Sequence, residues 1–469
     1  MKEFSFRKKL KFTPVYDKGF FPIAIGNREY RQALEKEKST PVIIAVERSG
    51  GLVSVGRTEV FAKSHEHDNK IYVERLLKTL LWLKGGFRVY FSGPRYIYDY
   101  LKKEYCYGGA REFDSSFMER IFGNEFSIEL VAPDEIPIEK EDPKPIGGHL
   151  DGCRIGFDAG GSDRKVSAVV DGEVIFSEEV VWHPKVSEDP RYQYDGIMDS
   201  MITAASKMKR VDAIGVSAAG IYIDNEVKSA SLFIKVLPEL FEKHVRTMFM
   251  DIAKEMGDVP IDVANDGDVT ALAGAMSLGE TGILGIAMGT SEAGGYVDSN
   301  GLVTGWFNEL AFVPLDYSVD AMMDEWAGDI GCGVKYFSQD GIIKLAENAG
   351  IAFNDGLSPA EKLKIVQKHM AGGDKRALNI YEDMGYYLGY TTAYYAEFYN
   401  IKRLLLMGRV TSGKGGDIIT ECATRVLNEE FPELSDRIII CLPDEKARRV
   451  GQSVAAASLP LIKLHNSIT

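Results

Sequence analysis

Long apolar runs are missing from this sequence. No window approaches the roughly 18 to 20 uninterrupted apolar residues that a membrane-crossing helix needs, and the first residues lack an apolar core followed by a small-residue cleavage site. Neither export nor membrane insertion is expected. Cysteine is scarce: Cys106, Cys153, Cys332, Cys422 and Cys441 are odd in number, lie far apart and form no CxxC pair. That excludes a disulfide scaffold and fits a reducing cytoplasm. The seven histidines contain no HExxH, and His65 with His67 in SHEHD reads as exposed loop rather than a metal site. Basic charge is in deficit, 55 Lys and Arg against 69 Asp and Glu, a formal net charge of -14. Nucleic acid and anionic membranes, which bind through clustered cations, are therefore not expected partners. The short basic stretch from Lys8 to Lys11 reads as a solvated edge. Neither GxGxxG after a strand nor GxxxxGK[ST] occurs, which disfavours a dinucleotide fold and a P-loop.

What is present is ordinary globular composition, 45% hydrophobic and 26% charged over 469 residues. At roughly 150 residues per domain that length suggests about three units. Charge, two prolines and paired glycines interrupt any periodicity from Ile138 to Gly152, so a linker is expected there. Before it, Val42 to Arg57 reads as two strands around Ser49-Gly50-Gly51. Tyr72 to Gly86 has helical periodicity closed by Gly85 and Gly86. FRVYFSG reads as a strand, RYIYDYLKKEY as a helix and FSIELVAP as a strand, a small α/β unit. After the linker, strands repeatedly run into glycine turns, the pattern of an α/β nucleotide-binding protein.

Four segments carry chemistry. In FDAGGSDRK (Phe157 to Lys165) an Asp ends a strand before two glycines and a hydroxyl, letting backbone N–H groups approach phosphate while the carboxylate holds hydrated magnesium. The alternative is a plain hairpin with a glycine turn. In AMGTSEAGG (Ala287 to Gly295) Gly289 and Thr290 form a second such bend, and the pair could grip a polyphosphate. In VANDGD (Val263 to Asp268) a carboxylate stands at a strand end beside a helix start, so Asp266 is the candidate base for an attacking hydroxyl. Asn265 or Asp266 could equally be a helix cap. In LLLMGRVTSGKGG (Leu404 to Gly416) a strand breaks into glycines that could admit an adenine or ribose, or form a surface loop.

From about Cys153 onward, the order of these motifs resembles the ROK family of hexose kinases and repressors, within the actin, Hsp70 and hexokinase superfamily. FDAGGSDRK is similar to that family's first phosphate motif and IGVSAAG to the strand before its sugar loop. VANDGDVTALAGA resembles its catalytic Asn-Asp helix start, AMGTSEAGG its second phosphate hairpin, and LLLMGRV its adenosine loop. VGQSVAAASLPL (Val450 to Leu461) resembles its terminal helix. The resemblance implies an α/β fold, a two-lobed actin-like ATPase (ribonuclease H-like) body preceded by a small α/β domain. It implies residues 1–148 as the extension, 149–266 plus 446–469 as one lobe and 267–445 as the other.

The resemblance further implies ATP-dependent phosphoryl transfer to a sugar hydroxyl, with ATP and Mg2+ as cofactors and lobes closing to exclude water. Asp158 would organise the magnesium, and Gly160, Gly161, Ser162 and Lys165 would belong to the nucleotide site. Gly289 and Thr290 would bind phosphate and Gly408 would line the adenosine pocket. Asp266 would take the proton, with Asn265 and Glu309 on the sugar. A homodimer is a family expectation. ROK proteins usually add a histidine and a cysteine-rich zinc loop, whereas here Phe312 stands near the histidine's place and only Cys332 remains of the cysteines. No structural zinc is expected. Phe312 cannot hydrogen-bond a sugar, and Glu292 would repel a triphosphate. A catalytically weakened sugar sensor is therefore the alternative to a kinase, and a BadF-type ATPase or N-acetylglucosamine kinase relative shares the superfold. The DNA-binding version is not expected, because the front portion reads as alternating strands and helices.

Overall fold

The computed structural model describes residues 3–143, 147–443 and 445–462. Part of the expected linker (144–146) and part of the terminal segment (444 and 463–469) lie outside the described residues.

In the front segment β1 (Ser39–Arg48) turns at residues 49–51 into β2 (Leu52–Phe61), with Val46 opposite Ser54. β3 (Arg88–Ser92) pairs antiparallel with β1, and β4 (Ser127–Leu130) parallel with β3, giving the order β2-β1-β3-β4. Burial of Val42, Ile44 and Val46 sets the packed face of β1. The helix expected from Tyr72 begins earlier, at Glu66, and ends at Lys84 before Gly85. Its first turn packs inward through polar groups, which apolar periodicity cannot register. Asn69 accepts from the Tyr30 hydroxyl (2.5 Å) and the Phe61 N–H (3.2 Å), and Asp68 accepts from the Ser5 N–H (2.8 Å). SHEHD thus opens a helix instead of forming a loop.

The chain divides into two compact units, one of residues 1–142, 286–294 and 306–442, the other of 143–285, 295–305 and 443–469. This partition differs from the boundaries expected from sequence: the front segment shares a unit with 286–294 and 306–442, and residues 267–285 stay with the body that precedes them. Buried carboxylates explain the first difference. Asp383 accepts from the N–H groups of Val15 (2.7 Å) and Tyr16 (2.8 Å). Asp316 accepts from the Phe21 N–H (2.9 Å), the Ser318 N–H (2.7 Å) and the Tyr336 hydroxyl (2.7 Å). The basic stretch is also engaged here: Lys8 pairs with Glu29 at 2.7 Å, and the Lys11 N–H donates to Glu430 at 3.0 Å.

The second unit is built on a five-stranded sheet. β5 (Cys153–Ala159) pairs antiparallel with β6 (Asp163–Val170), and β6 with β7 (Glu173–Val181), which turns at Asp171-Gly172. β8 (Ala213–Ala218) lies parallel to β5, a short hairpin of β9 (Ile221–Ile223) and β10 (Glu226–Ser229) follows, and β11 (Ile261–Asn265) lies parallel to β8. The order is β11-β8-β5-β6-β7. One face buries Ile155, Phe157, Ile214 and Val216 against Trp182, Ile197, Met201 and Phe249. The other carries Gly156 and Gly215, where a Cβ would overlap the carbonyl oxygens of Ser453 and Ala456 in the terminal helix Glu445–Ala457. Glycine lets that helix lie directly on the strands. Buried Arg154 ties down its end, donating to the Pro460 carbonyl at 2.7 Å.

A third sheet runs β13-β12-β14-β15, from β12 (Ile283–Met288), β13 (Glu292–Val297), β14 (Arg403–Met407) and β15 (Ile439–Cys441). Residues 286–288 and 292–294 of this sheet, with β14 and β15, belong to the first unit, as do helices Lys375–Tyr395 and Lys414–Glu430.

Candidate active site

In the second unit three parallel strand ends converge. Asp158, Ser217 and Asn265 each stand near the C-terminal end of a strand, with Asp158 beside Ser217 and Ala264 beside Ser217 in register. Open α/β sheets bind ligands at such ends. The Ser217 hydroxyl donates to Asp158 at 3.0 Å, and Gln452 of the terminal helix donates to Ser217 at 3.3 Å. Removal from water pushes the Asp158 carboxyl up to about 6, an effect opposed by the Ser217 hydrogen bond and Lys165 and reinforced by the neighbouring Asp266 charge. Two buried carboxyls, both raised, one of them partly by the charge of the other, mark a place suited to a cation or to proton transfer.

Asp266 is the first residue of the helix Asp266–Leu278. Burial raises its pKa, while the Gly267 N–H (3.0 Å) and the Lys185 ammonium pull it back. Asn265 caps this helix, accepting from the Gly267 N–H at 2.7 Å while its amide donates to the Gly220 carbonyl at 2.7 Å. The cap and the catalytic readings are therefore compatible: Asn265 fixes the turn that presents Asp266, and keeps one amide N–H for a ligand.

Between β5 and β6 the Gly160-Gly161-Ser162 turn is held from outside. Trp182 donates its indole N–H to the Gly160 carbonyl (2.8 Å) and its backbone N–H to the Ser162 carbonyl (3.1 Å). A Cβ at Gly161 would lie 2.8 Å from Lys185 Cε, so the Lys185 chain lies against the bare turn. Exposed Ser162 bonds Asp163 at 3.0 Å, and Lys165, opposite Asp158 in register, lies 3.7 Å from both Asp163 and Glu179. Sequence reading missed Lys185, Ser217 and Gln452. Each stands far in sequence from the carboxylate it serves, and only IGVSAAG hinted at Ser217.

The remaining expected residues belong to the first unit. Gly289 donates to the Ser291 carbonyl (3.0 Å), its own carbonyl accepts from the Gln339 N–H (2.9 Å), and Thr290 is exposed. Gly408 follows β14 with φ 93°, where a Cβ would overlap the Met288 carbonyl. Only glycine fits that left-handed position. Glu309 is half-buried and donates its backbone N–H to the Trp82 carbonyl at 3.0 Å.

The two departures at Glu292 and Phe312 take on a different meaning in the structure. Glu292 is turned into the interior, 3% exposed, beside Gly333. Burial, with the Glu309 charge, raises its pKa well above the carboxylate range. Its side chain thus lies inside the unit, whereas Thr290 two residues before it is exposed. Phe312 packs against Trp82, Phe113 and Phe117, with centroids 4.2, 5.6 and 6.5 Å away. Cys332 is buried beside Asp329 in a cluster of ion pairs with Arg75, Lys78 and Arg111. Among the described residues no group of three His, Cys, Asp or Glu could hold a metal ion, and no helix is long and apolar enough to cross a membrane.

The ROK family profile matches residues 154–455, most of the chain. The fold compares with solved structures at low identity. The ROK hexokinase of Thermus thermophilus aligns with a TM-score of 0.51 and 17% identity, over 66% of this chain and 97% of that one. A ROK family transcriptional regulator, a homologue of the Escherichia coli MLC protein, aligns with a TM-score of 0.53 and 17% identity, over 66% of this chain and 78% of that one. No curated protein matches the sequence. The chain belongs to the ROK family. Its fold is the α/β, actin-like fold of that family, with a small α/β segment ahead of the matched region.

Proposed function

We propose that this protein transfers the terminal phosphoryl group of ATP to a hydroxyl of a sugar or sugar derivative. The observation that carries the reading is the pairing of Asp158 with Asp266, two carboxyls raised above their usual range and joined to the same set of strand ends. A general base works best when its pKa lies near the working pH, and both shifts are in that direction. Asp266 takes the proton of the attacking hydroxyl at a carboxylate oxygen. Asn265 orients the sugar through its remaining amide N–H, with Glu309 contributing to sugar recognition. Lys165 and Lys185 supply positive charge near the Gly160-Gly161-Ser162 turn, whose backbone receives phosphate oxygens. Gly289, Thr290 and Gly408 serve the nucleotide.

Asp158 fits a magnesium role. It offers hard oxygen ligands with no protein cage around it, and magnesium keeps several waters and takes one or two carboxylates plus substrate phosphates. When bound, such an ion offsets charge on the phosphates being transferred. Cytoplasmic location and a homodimer remain part of this reading.

The aromatic packing of Phe312 favours a second reading, a sugar-binding sensor with weakened catalysis. One experiment separates the two. The protein is incubated with Mg-ATP and a panel of hexoses, amino sugars and sugar acids, beside an Asp266→Asn control. Sugar-dependent ADP formation above that control is expected. Sugar binding by calorimetry with no ADP above the control would replace the kinase reading with the sensor.

A further inference from the structure

The first unit contains a cavity of about 800 Å³, and none of the residues assigned above to phosphoryl transfer lines it. Its walls come from residues 31–39, β2, the helix Glu66–Lys84, Glu139, and residues 306 and 397–398. Lys84, on the last turn of that helix, is 7% exposed and lines the space. Its Nζ lies 2.7 Å from the centroid of the Trp306 ring and 5.6 Å from that of Tyr399. Trp306 is itself fixed, donating to Glu141 at 3.0 Å, and Glu141 pairs with Arg48. Among the described residues no oxygen accepts a hydrogen bond from Lys84. Burial, aided by Arg48 and opposed by Glu141 and Glu139, pulls the amine down to about 7, while the indole face favours the ammonium. A buried amine without an acceptor is costly, and an oxygen brought by a ligand relieves the cost.

The other lining groups define which ligand. Arg31 and Glu397 satisfy each other at 2.7 Å. What remains is Glu35, Glu37, Glu59 and Glu139 against Arg57 and Lys84. A phosphate or carboxylate ligand meets net repulsion there, and an apolar ligand would strip water from these groups without replacing it. A molecule with many hydroxyls does better. Its oxygens accept from Lys84 and Arg57, and its hydroxyl hydrogens donate to the carboxylates.

We propose that this cavity is a binding site for a neutral polyhydroxylated small molecule of the mono- or disaccharide class, with the Lys84 amine donating to one of its hydroxyl oxygens. None of its lining residues belongs to the unit that carries Asp158 and Asp266, and the proposal does not depend on phosphoryl transfer taking place.

The test is calorimetric titration of the full chain with glucose, N-acetylglucosamine and sucrose, with glucose 6-phosphate as the charged control. At least one neutral sugar is expected to bind at a site that Lys84→Met weakens by about tenfold or more, the scale of one charged hydrogen bond. Glucose 6-phosphate should not compete there. Asp266→Asn should leave that binding in place, which separates it from any sugar held for transfer. Should Lys84→Met fail to fold, Ser39→Trp, at an exposed position on the rim, blocks the entrance without touching the core. Isotherms for all three sugars that are flat, or unchanged by the variants, would overturn the proposal. Equal binding of glucose 6-phosphate would overturn it too.

Discussion

Phe312 lies against the indole of Trp82, with ring centroids 4.2 Å apart. Trp82 comes from the front segment, is fully buried, and donates its N–H to Asp114 at 2.5 Å. The position where related proteins are expected to carry a sugar-reading histidine is therefore part of an aromatic core.

Trp82→Ala is expected to destabilise the first unit by about 3–5 kcal/mol, the usual cost of removing a large buried ring, and to leave Asp114 without its indole donor. A shifted urea midpoint in an otherwise cooperative transition would measure this. A change below 1 kcal/mol would mean the aromatic cluster does not hold the segment.

Asp329 stands between three cations. It lies 2.8 Å from Arg75, 2.8 Å from Lys78 and 2.7 Å from Arg111, while Glu74 and Asp114 complete the pairs. Burial pushes its carboxyl up, but Arg75 and Lys78 hold it below the usual range. Asp329→Ala leaves buried positive charge uncompensated, at an expected cost of about 3–5 kcal/mol. Thermal unfolding compared with Arg88→Ala, a change in an exposed pair, would show whether the loss is specific to the buried cluster.

Asp158 makes stability depend on pH. Its carboxyl titrates near 6 in the folded chain against an ordinary 3.8, so the native state holds the proton more tightly than the unfolded state. The stabilising contribution is fully present below about pH 4 and is lost as pH rises through about 6. Asp158→Asn, which stays neutral, should match the native protein at pH 4. It should be more stable at pH 7 by something on the order of 2 kcal/mol. Equal stability of the two proteins at pH 7 would place the Asp158 pKa in its ordinary range.

Gly215 has no room for a methyl group, because the Ala456 carbonyl of the terminal helix occupies that space. Gly215→Ala should cost about 1–3 kcal/mol through overpacking and loosen the helix Glu445–Ala457. Faster limited proteolysis within that helix, with the rest of the chain intact, is the expected signature. An unchanged cleavage pattern would show that the sheet yields instead.

Much of the architecture was legible because it is local. The turn at residues 49–51, the Asp171-Gly172 hairpin and the Asn265 cap follow from glycine, Asx and apolar patterns a few residues long. Apolar periodicity starts the helix late, at Tyr72, because its first turn from Glu66 is buried through Asp68 and Asn69 rather than through apolar side chains. The motifs bearing Asp158 and Asp266 could be picked out in the same way, since strand, glycine turn and carboxylate are contiguous.

By itself the amino-acid sequence determined the family and marked the strand, glycine-turn and carboxylate motifs from which Asp266 is proposed as base. These depend on short contiguous stretches whose backbone preferences are strong. Only the tertiary structure decided the environment of each group. It turned Glu292 inward, buried Phe312 among the rings of the front segment, and set Ser217 beside Asp158 with Gln452 donating to Ser217. Burial and electrostatic coupling are sums over neighbours distant in the chain, and no local pattern encodes them.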